Sequence, residues 1–273
     1  MQNSFSSSPR EIAATFFRHH KLIFNLTKRE VTGRYKGSLF GILWSFFNPI
    51  FMLVVYTFVF SFIFNARWSV ESTSKAEFAL VLFAGLIVFN FFSECAIKAP
   101  GTILSNVNYV KKVIFPLEIL PIVNATSALF HACISIIVWL IFYLIEVGLP
   151  HATVLLFPIF ILPLFIFVLG VGWLLSALGV FLRDVGQMIS ILVTALMFLS
   201  PIFYPITAIP EKYRPLLNIN PLAPAISQFR EIFYWGTVPS LSVYVSYLVG
   251  CAVFAWFGFV VFQKTRKGFA DVL

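Results

Sequence analysis

Charge is what this sequence has least of. Asp, Glu, Lys and Arg make up 11% of 273 residues, whereas a soluble domain carries about a quarter. Apolar side chains make up 60%, so the chain lacks the polar surface that would cover a water-facing globule, and its main solvent is lipid. Acidic residues are scarcest, 11 against 19 basic, and they stand singly, which leaves no polar catalytic cluster. Cysteine is rare and odd in number. Cys95, Cys133 and Cys251 lie inside apolar runs without a CxxC pair, which argues against a disulfide framework or a zinc site and reads as small buried side chains. No GxxxxGK[ST], HExxH or GxSxG occurs, so a phosphate-binding loop, a metalloprotease helix and a nucleophile elbow are all missing. The chain reads as a non-enzyme with no metal or cofactor of its own. The net charge of +8 reads as topology and lipid contact rather than nucleic-acid binding.

Long apolar runs are what the sequence has in abundance. A hydrocarbon core of about 30 Å needs about 20 apolar residues of helix, and six runs qualify: 39–64, 78–97, 120–145, 152–182, 186–209 and 241–262. They are continuous rather than alternating, and too long for barrel strands. The expectation is an all-α polytopic membrane protein with six transmembrane helices. Pro158 and Pro163 predict a tilt or kink in the fourth.

Basic residues mark the cytoplasmic side. Arg10, Arg18, Lys21, Lys28, Arg29, Arg34 and Lys36 precede the first run; Lys98, Lys111 and Lys112 follow the second; Arg183 follows the fourth; Lys264, Arg266 and Lys267 follow the sixth. Arg67, Lys75, Lys212, Arg214 and Arg230 fall on the other side, offset by Glu71, Glu77, Glu211 and Glu231. Both termini are therefore expected in the cytoplasm. The opening MQNSFSSSPRE lacks an apolar core, so no cleavable signal peptide is expected and the first run acts as an uncleaved anchor.

The segment from Glu11 to Tyr35 mixes Ile12, Phe16, Leu22, Ile23 and Leu26 with the basic residues. Such a segment can lie in the membrane surface as an amphipathic helix, rings down and cations up. The plainer alternative is a basic cluster that only sets topology. A second unusual stretch runs from Pro201 to Pro239, where seven prolines interrupt a mostly apolar sequence. Broken backbone at membrane depth survives only inside protein or beside water, so either short helices dip into the outer leaflet beside a path, or a loop lies on the headgroups. Within it, Ile226, Phe229 and Phe233 share a helical face.

Isolated polar residues in the runs invite a role. Glu94 either faces an aqueous cavity or pairs with Lys98 four residues on, and pairing at the inner boundary is expected. His131 is a packing histidine or a relay group, without a partner one turn away; His19 and His20 belong to the basic tail, and His151 stands alone. Arg183 and Asp184 read as anchors of a tight cytoplasmic turn.

Four strings in order, REVTGRYKGSLFGILWSFFNPI, NYVKKVIFPLEILPI, FLRDVGQM…FLSPIFYPITAIP and NPLAPAISQFR, resemble the membrane subunits of ABC-2 type exporters, most closely the O-antigen, capsule and teichoic-acid polysaccharide permeases. The resemblance covers nearly the whole chain. It implies an O-antigen-like, lipid-linked polysaccharide as substrate, a bacterial inner-membrane location, a homodimer of this chain, and two copies of a separate ATPase that holds ATP and Mg. It also implies two regions, 1–38 as cytoplasmic tail and interfacial helix and 39–273 as the six-span permease, with re-entrant helices between spans five and six.

Roles follow by position. Thr27 to Lys36 look like the helix that contacts the ATPase, with Glu30 and Arg34 as polar contacts. Asn106 to Lys112, with Tyr109 and Lys111, look like a coupling helix. Trp44, Phe47, Phe51, Phe198, Phe203 and Tyr204 fall in the first and fifth spans, which line the conduit in similar permeases. Trp44, Phe47 and Phe51 share one face at i, i+3 and i+7, and aromatic rings can stack on the C–H faces of any sugar. Helix packing would produce the same spacing. Two other classes compete: a secondary transporter, which would need midplane ion-coupling groups or repeats, and a membrane-bound transferase of cell-envelope glycans, which would need a catalytic cluster.

Overall fold

A computed structural model describes residues 7–63, 68, 75–111, 115–217 and 219–273, and no strand occurs among them. Arg67, Glu71 and Lys112 lie outside the described residues. The first helix, α1 (Pro9–Arg34), starts where the Ser8 side chain accepts from the Arg10 amide and Pro9 supplies a preset φ. It bends at His19 (φ −112°, ψ 17°) and buries Thr15, Ile23, Leu26 and Val31, while Phe17 and Phe24 stay exposed. After Gly37 and Gly41, both at positive φ, the chain enters α2 (Trp44–Tyr56), which continues as a wider helical turn through Thr57–Ile63.

Then come α3 (Lys75–Lys98), the short α4 (Val107–Lys111), α5 (Ile119–Glu146), α6 (Phe157–Phe181) and α7 (Val185–Leu199). The connection after α7 holds α8 (Arg214–Leu217) and α9 (Leu222–Arg230), which runs on through Glu231–Trp235 and ends at Gly236 in the left-handed region (φ 67°). The chain closes with α10 (Leu241–Thr265) and α11 (Phe269–Val272).

Among the described residues, five helical stretches are long and apolar enough to cross a membrane: Gly41–Phe60, Ala76–Gly101, Ile119–Glu146, Ala152–Phe181 and Leu241–Val272. The run expected at 186–209 is helical only over 15 residues, about 22 Å of rise. It stops because Ser200 turns extended (φ −88°, ψ 148°) ahead of Pro201, a residue type that disfavours helix before it.

The centre of the fold is α3. From Phe78 to Phe92 nearly every side chain is buried, because α5, α6, α7 and α9 pack around it, and so the run is apolar on all faces rather than striped. The indole of Trp139 on α5 donates to the Leu80 carbonyl at 2.8 Å, which satisfies a buried N–H. Helices α6 and α10 cross at Gly170, Ala255 and Gly258. A Cβ on Gly170 would stand 2.7 Å from the Ala255 Cα, so only small residues allow this approach, as suits helices that associate in lipid by packing. In contrast α2 buries only Ser45, Pro49 and Leu53, and its aromatic face is left open.

Candidate functional site

Where α1 ends, its side chains reach into the spans. Thr27 meets Thr126 of α5 at 2.7 Å, hydroxyl to hydroxyl, and Glu30 meets Lys98 of α3 at 3.3 Å. One turn on, Arg34 lies 2.5 Å from the carboxylate of Glu94. That carboxylate also takes Lys98 at 3.4 Å and His131 Nδ1 at 3.0 Å. A proton on His131 Nδ1 satisfies Glu94 and leaves Nε2 to accept from the Tyr35 hydroxyl at 3.4 Å. Partial burial raises the Tyr35 pKa, and a phenol is protonated at neutral pH without any such shift.

Glu94 is thus a hub whose side chain is only 18% exposed, and a carboxylate so placed is tolerable because three donors surround it. The expected Glu94–Lys98 pair is present. Arg34 and His131 are partners that sequence reading missed, since they come from positions 60 and 37 residues away. Glu30 and Arg34 belong to this network, and the remaining Arg34 donors, Nε and Nη2, make no hydrogen bond among the described residues.

Above the network opens a cavity of about 680 Å³ between α2, α3 and α5. One end carries Arg34, Lys98, Glu94 and His131; amides and hydroxyls of Asn48, Asn90 and Ser135 follow; Trp44, Met52 and Tyr56 stand on its α2 wall. Trp44, Phe47 and Phe40 make a cluster of edge-on rings 5.6–6.0 Å apart. Trp44, Phe47 and Phe51 are 45%, 47% and 65% exposed, so this stripe is not packed inside its own chain. Beyond the cavity, rings continue from Tyr56 to Phe60 (6.4 Å), Phe60 to Phe203 (6.0 Å) and Phe203 to Phe198 (5.8 Å). The Tyr204 hydroxyl donates to the Phe198 carbonyl at 3.0 Å. Four of the six aromatic candidates therefore fall into two groups, Trp44 with Phe47 and Phe198 with Phe203, and Phe51 projects alone.

The connection between α3 and α5 is a folded corner. Asn106 donates through Nδ2 to the Thr102 carbonyl, which fixes the turn leading into α4. Tyr109 stacks flat on Phe115 at 4.1 Å, and its hydroxyl accepts from Arg29 Nη2 of α1 at 2.9 Å. From the other side Arg266 reaches Glu118 at 2.6 Å and the Phe115 carbonyl at 2.9 Å. Lys111 is exposed. The corner is held at once by α1 and by the end of α10.

Arg230 corrects the charge count. It is 3% exposed and has no acidic partner among the described residues. Its Nε donates to the Val81 carbonyl of α3 at 2.9 Å, Nη1 to Pro201 at 2.6 Å and Nη2 to Ile202 at 2.8 Å, while the ring of Trp68 covers it at 4.3 Å. The break after α7 exposes carbonyls, and this guanidinium satisfies them. The signal was present in the sequence: Ile226, Phe229, Arg230 and Phe233 follow i, i+3, i+4 and i+7, which places the cation on the apolar face.

A protein family described as ABC-2 type transporter matches residues 21–234. The O-antigen export system permease protein RfbA of Klebsiella pneumoniae is 28% identical over 253 residues, covering 92% of this chain and 95% of that protein. The protein of the same name from Myxococcus xanthus is 28% identical over 257 residues, 93% and 96% of the two chains. The polysialic acid transport protein KpsM of Escherichia coli is 24% identical over 242 residues, 88% and 91%.

Proposed function

Since this chain belongs to the ABC-2 type transporter family, we propose that it is the membrane permease of a polysaccharide exporter, carrying a lipid-linked, O-antigen-like glycan out across the bacterial inner membrane. The observation that carries the reading is the match to O-antigen export permeases over more than nine-tenths of both chains. The chain is a permease and not a catalyst; two copies form the path, and ATP and Mg belong to a separate ATPase bound below in two copies.

In this reading residues 1–38 face the cytoplasm and its boundary, both termini are cytoplasmic, and 39–273 form six spans. The fifth span is made up of α7 and the broken segment after it, and α8 and α9 dip back from the outer side. Asn106, Tyr109, Lys111 and Lys112, with α1, face the ATPase. Glu30 and Arg34 carry its motion into α3 and α5 through the Glu94 hub. Trp44, Phe47, Phe51, Phe198, Phe203 and Tyr204 give the glycan a succession of weak stacking sites, as conduction of a long polymer requires.

The test is co-expression of the tagged chain with its proposed partner ATPase, in a strain deleted for both. A complex with equal subunit numbers, no ATP hydrolysis by the permease alone, and surface glycan restored only by the pair is expected. Glycan restored by the permease without any ATPase would overturn the reading.

A further inference from the structure

Helix α2 has two unlike faces, one on either side of its buried strip at Ser45, Pro49 and Leu53. On one side Ile50, Val54 and Phe58 line a hollow whose walls are apolar but for Thr57. On the other side Trp44, Asn48, Met52 and Tyr56 follow at every fourth residue and face the polar cavity. Helix α3 is as asymmetric. Between Phe78 and Phe92 only Asn90 is exposed, and it opens into the same cavity, one turn before Glu94.

Asn48 and Asn90 stand within two of the five long apolar stretches, yet neither side-chain amide has a hydrogen-bond partner among the described residues. The Arg34 edge of Nε and Nη2 is equally free. Amides turned to hydrocarbon would forfeit their hydrogen bonds, so the cavity holds water or a ligand that replaces it. A planar amide presents a donor and an acceptor side by side, and a guanidinium edge presents two donors. Sugar hydroxyls both give and accept, and neighbouring hydroxyls on one ring satisfy either group. The C–H face of that ring needs an aromatic surface, and the cavity wall supplies Trp44, 45% exposed. A lipid chain or an apolar side chain of a second copy would leave all of these polar groups unpaired. The volume, about 680 Å³, is that of an ordinary small-ligand site.

We propose that this cavity is a saccharide-binding site, in which Asn48, Asn90 and the free edge of Arg34 take sugar hydroxyls while Trp44 stacks on the ring. This rests on the export reading and adds to it a place where the sugar is held by hydrogen bonds and not by stacking alone. Because Arg34 is the last residue of α1, a shift of α1 withdraws one set of donors from the cavity.

The test uses the permease–ATPase complex in nanodiscs, with Cys95, Cys133 and Cys251 replaced. Met52→Cys, on the cavity wall between Asn48 and Tyr56, is the reporter, read as its rate of labelling by a water-soluble maleimide. The probe is the strain's own surface polysaccharide, released from its lipid and cut to short chains, and polyethylene glycol of the same mass is the control. Labelling of the empty complex is expected, several-fold slower with the glycan and unslowed by polyethylene glycol. Neither amide bonds to protein, so Asn48→Ala and Asn90→Ala should leave the complex assembled, each weakening the protection and the pair abolishing it while the cysteine still labels. A cysteine that never labels, equal protection by polyethylene glycol, or protection unchanged in the double variant or in Trp44→Leu would each overturn the site. Surface glycan measured on the double variant without the reporter cysteine separates the two readings. Lost protection with undiminished export removes the saccharide site alone, whereas protection in a complex whose unaltered form restores no glycan removes the export reading alone.

Discussion

Arg34 at the end of α1 and Glu94 near the end of α3 meet at 2.5 Å, and through this pair α1 is fastened to the long apolar helices. Lys98 and His131 complete the hub, so Glu94 holds three donors from three elements. Glu94→Gln should leave those donors without their shared anion and cost about 1–3 kcal/mol of α1 docking. Cysteines at Thr27 and Thr126, whose hydroxyls touch at 2.7 Å, report the docking as oxidative cross-linking in a chain with Cys95, Cys133 and Cys251 replaced. A several-fold lower cross-linking yield with Glu94→Gln is expected, and an intermediate one with Glu94→Asp. Equal yields in all three chains would show that the apolar contacts of Ile23, Leu26 and Val31 hold α1 unaided.

The second fastening is Arg266 to Glu118, two side chains only 12% and 10% exposed. Removing one member of such a pair strands the other's charge, at a cost of roughly 3–5 kcal/mol. Arg266→Ala should therefore lower the thermal unfolding midpoint and the membrane abundance. Arg266→Met with Glu118→Gln, which removes both charges, should recover much of the loss. A double variant no more stable than the single one would mean that the Arg266 bond to the Phe115 carbonyl, and not the ion pair, holds the corner.

How much of this was readable beforehand depends on the range of each interaction. Apolar runs announce spans because length and composition suffice, and five of the six expected runs are long helices among the described residues. The exception ends at Ser200 because a proline follows, a local effect that the proline density already flagged. Glu94 with Lys98 was legible at i, i+4. Glu94 with His131 was not, because only the packing of α3 against α5 brings them together, and a histidine without a neighbour on its own helix looks like filler. The burial of Arg230 was missed for a different reason: it was counted by sign alone, with Glu231 among the offsetting charges, but successive residues on a helix point some 100° apart, and the phase shared with Ile226, Phe229 and Phe233 turns the cation inward. The open face of α2 was legible as a stripe, whereas its exposure needed the fold.

Arg230 carries the last prediction. Two carbonyls freed by the break, of Pro201 and Ile202, take two of its nitrogens, and the Val81 carbonyl, which also serves its own helix, takes the third, so it joins α3 to the break after α7 and to α9, the elements proposed to form the outer mouth. Lys offers one nitrogen in place of a planar fork and cannot reach all three. Arg230→Lys should therefore leave a Pro201 or Ile202 carbonyl buried without a donor, at about 1–3 kcal/mol for each one lost. Arg230→Met removes the buried charge as well, and its cost is the lost bonds alone. Trp68→Ala keeps the guanidinium and its bonds but removes the ring at 4.3 Å, a contact of about 0.5–2 kcal/mol, along with its packing on Phe78 at 5.7 Å. The expected order of surface glycan is wild type, then Trp68→Ala, then Arg230→Met and Arg230→Lys, with an increasing share of the loss traced to subunit abundance. Gly85→Ala is an independent probe, because its added methyl would lie 2.8 Å from Arg230 Nη2 and displace the fork without changing its charge. If Gly85→Ala and Arg230→Lys both export normally at normal abundance, the guanidinium is not what holds the outer break together.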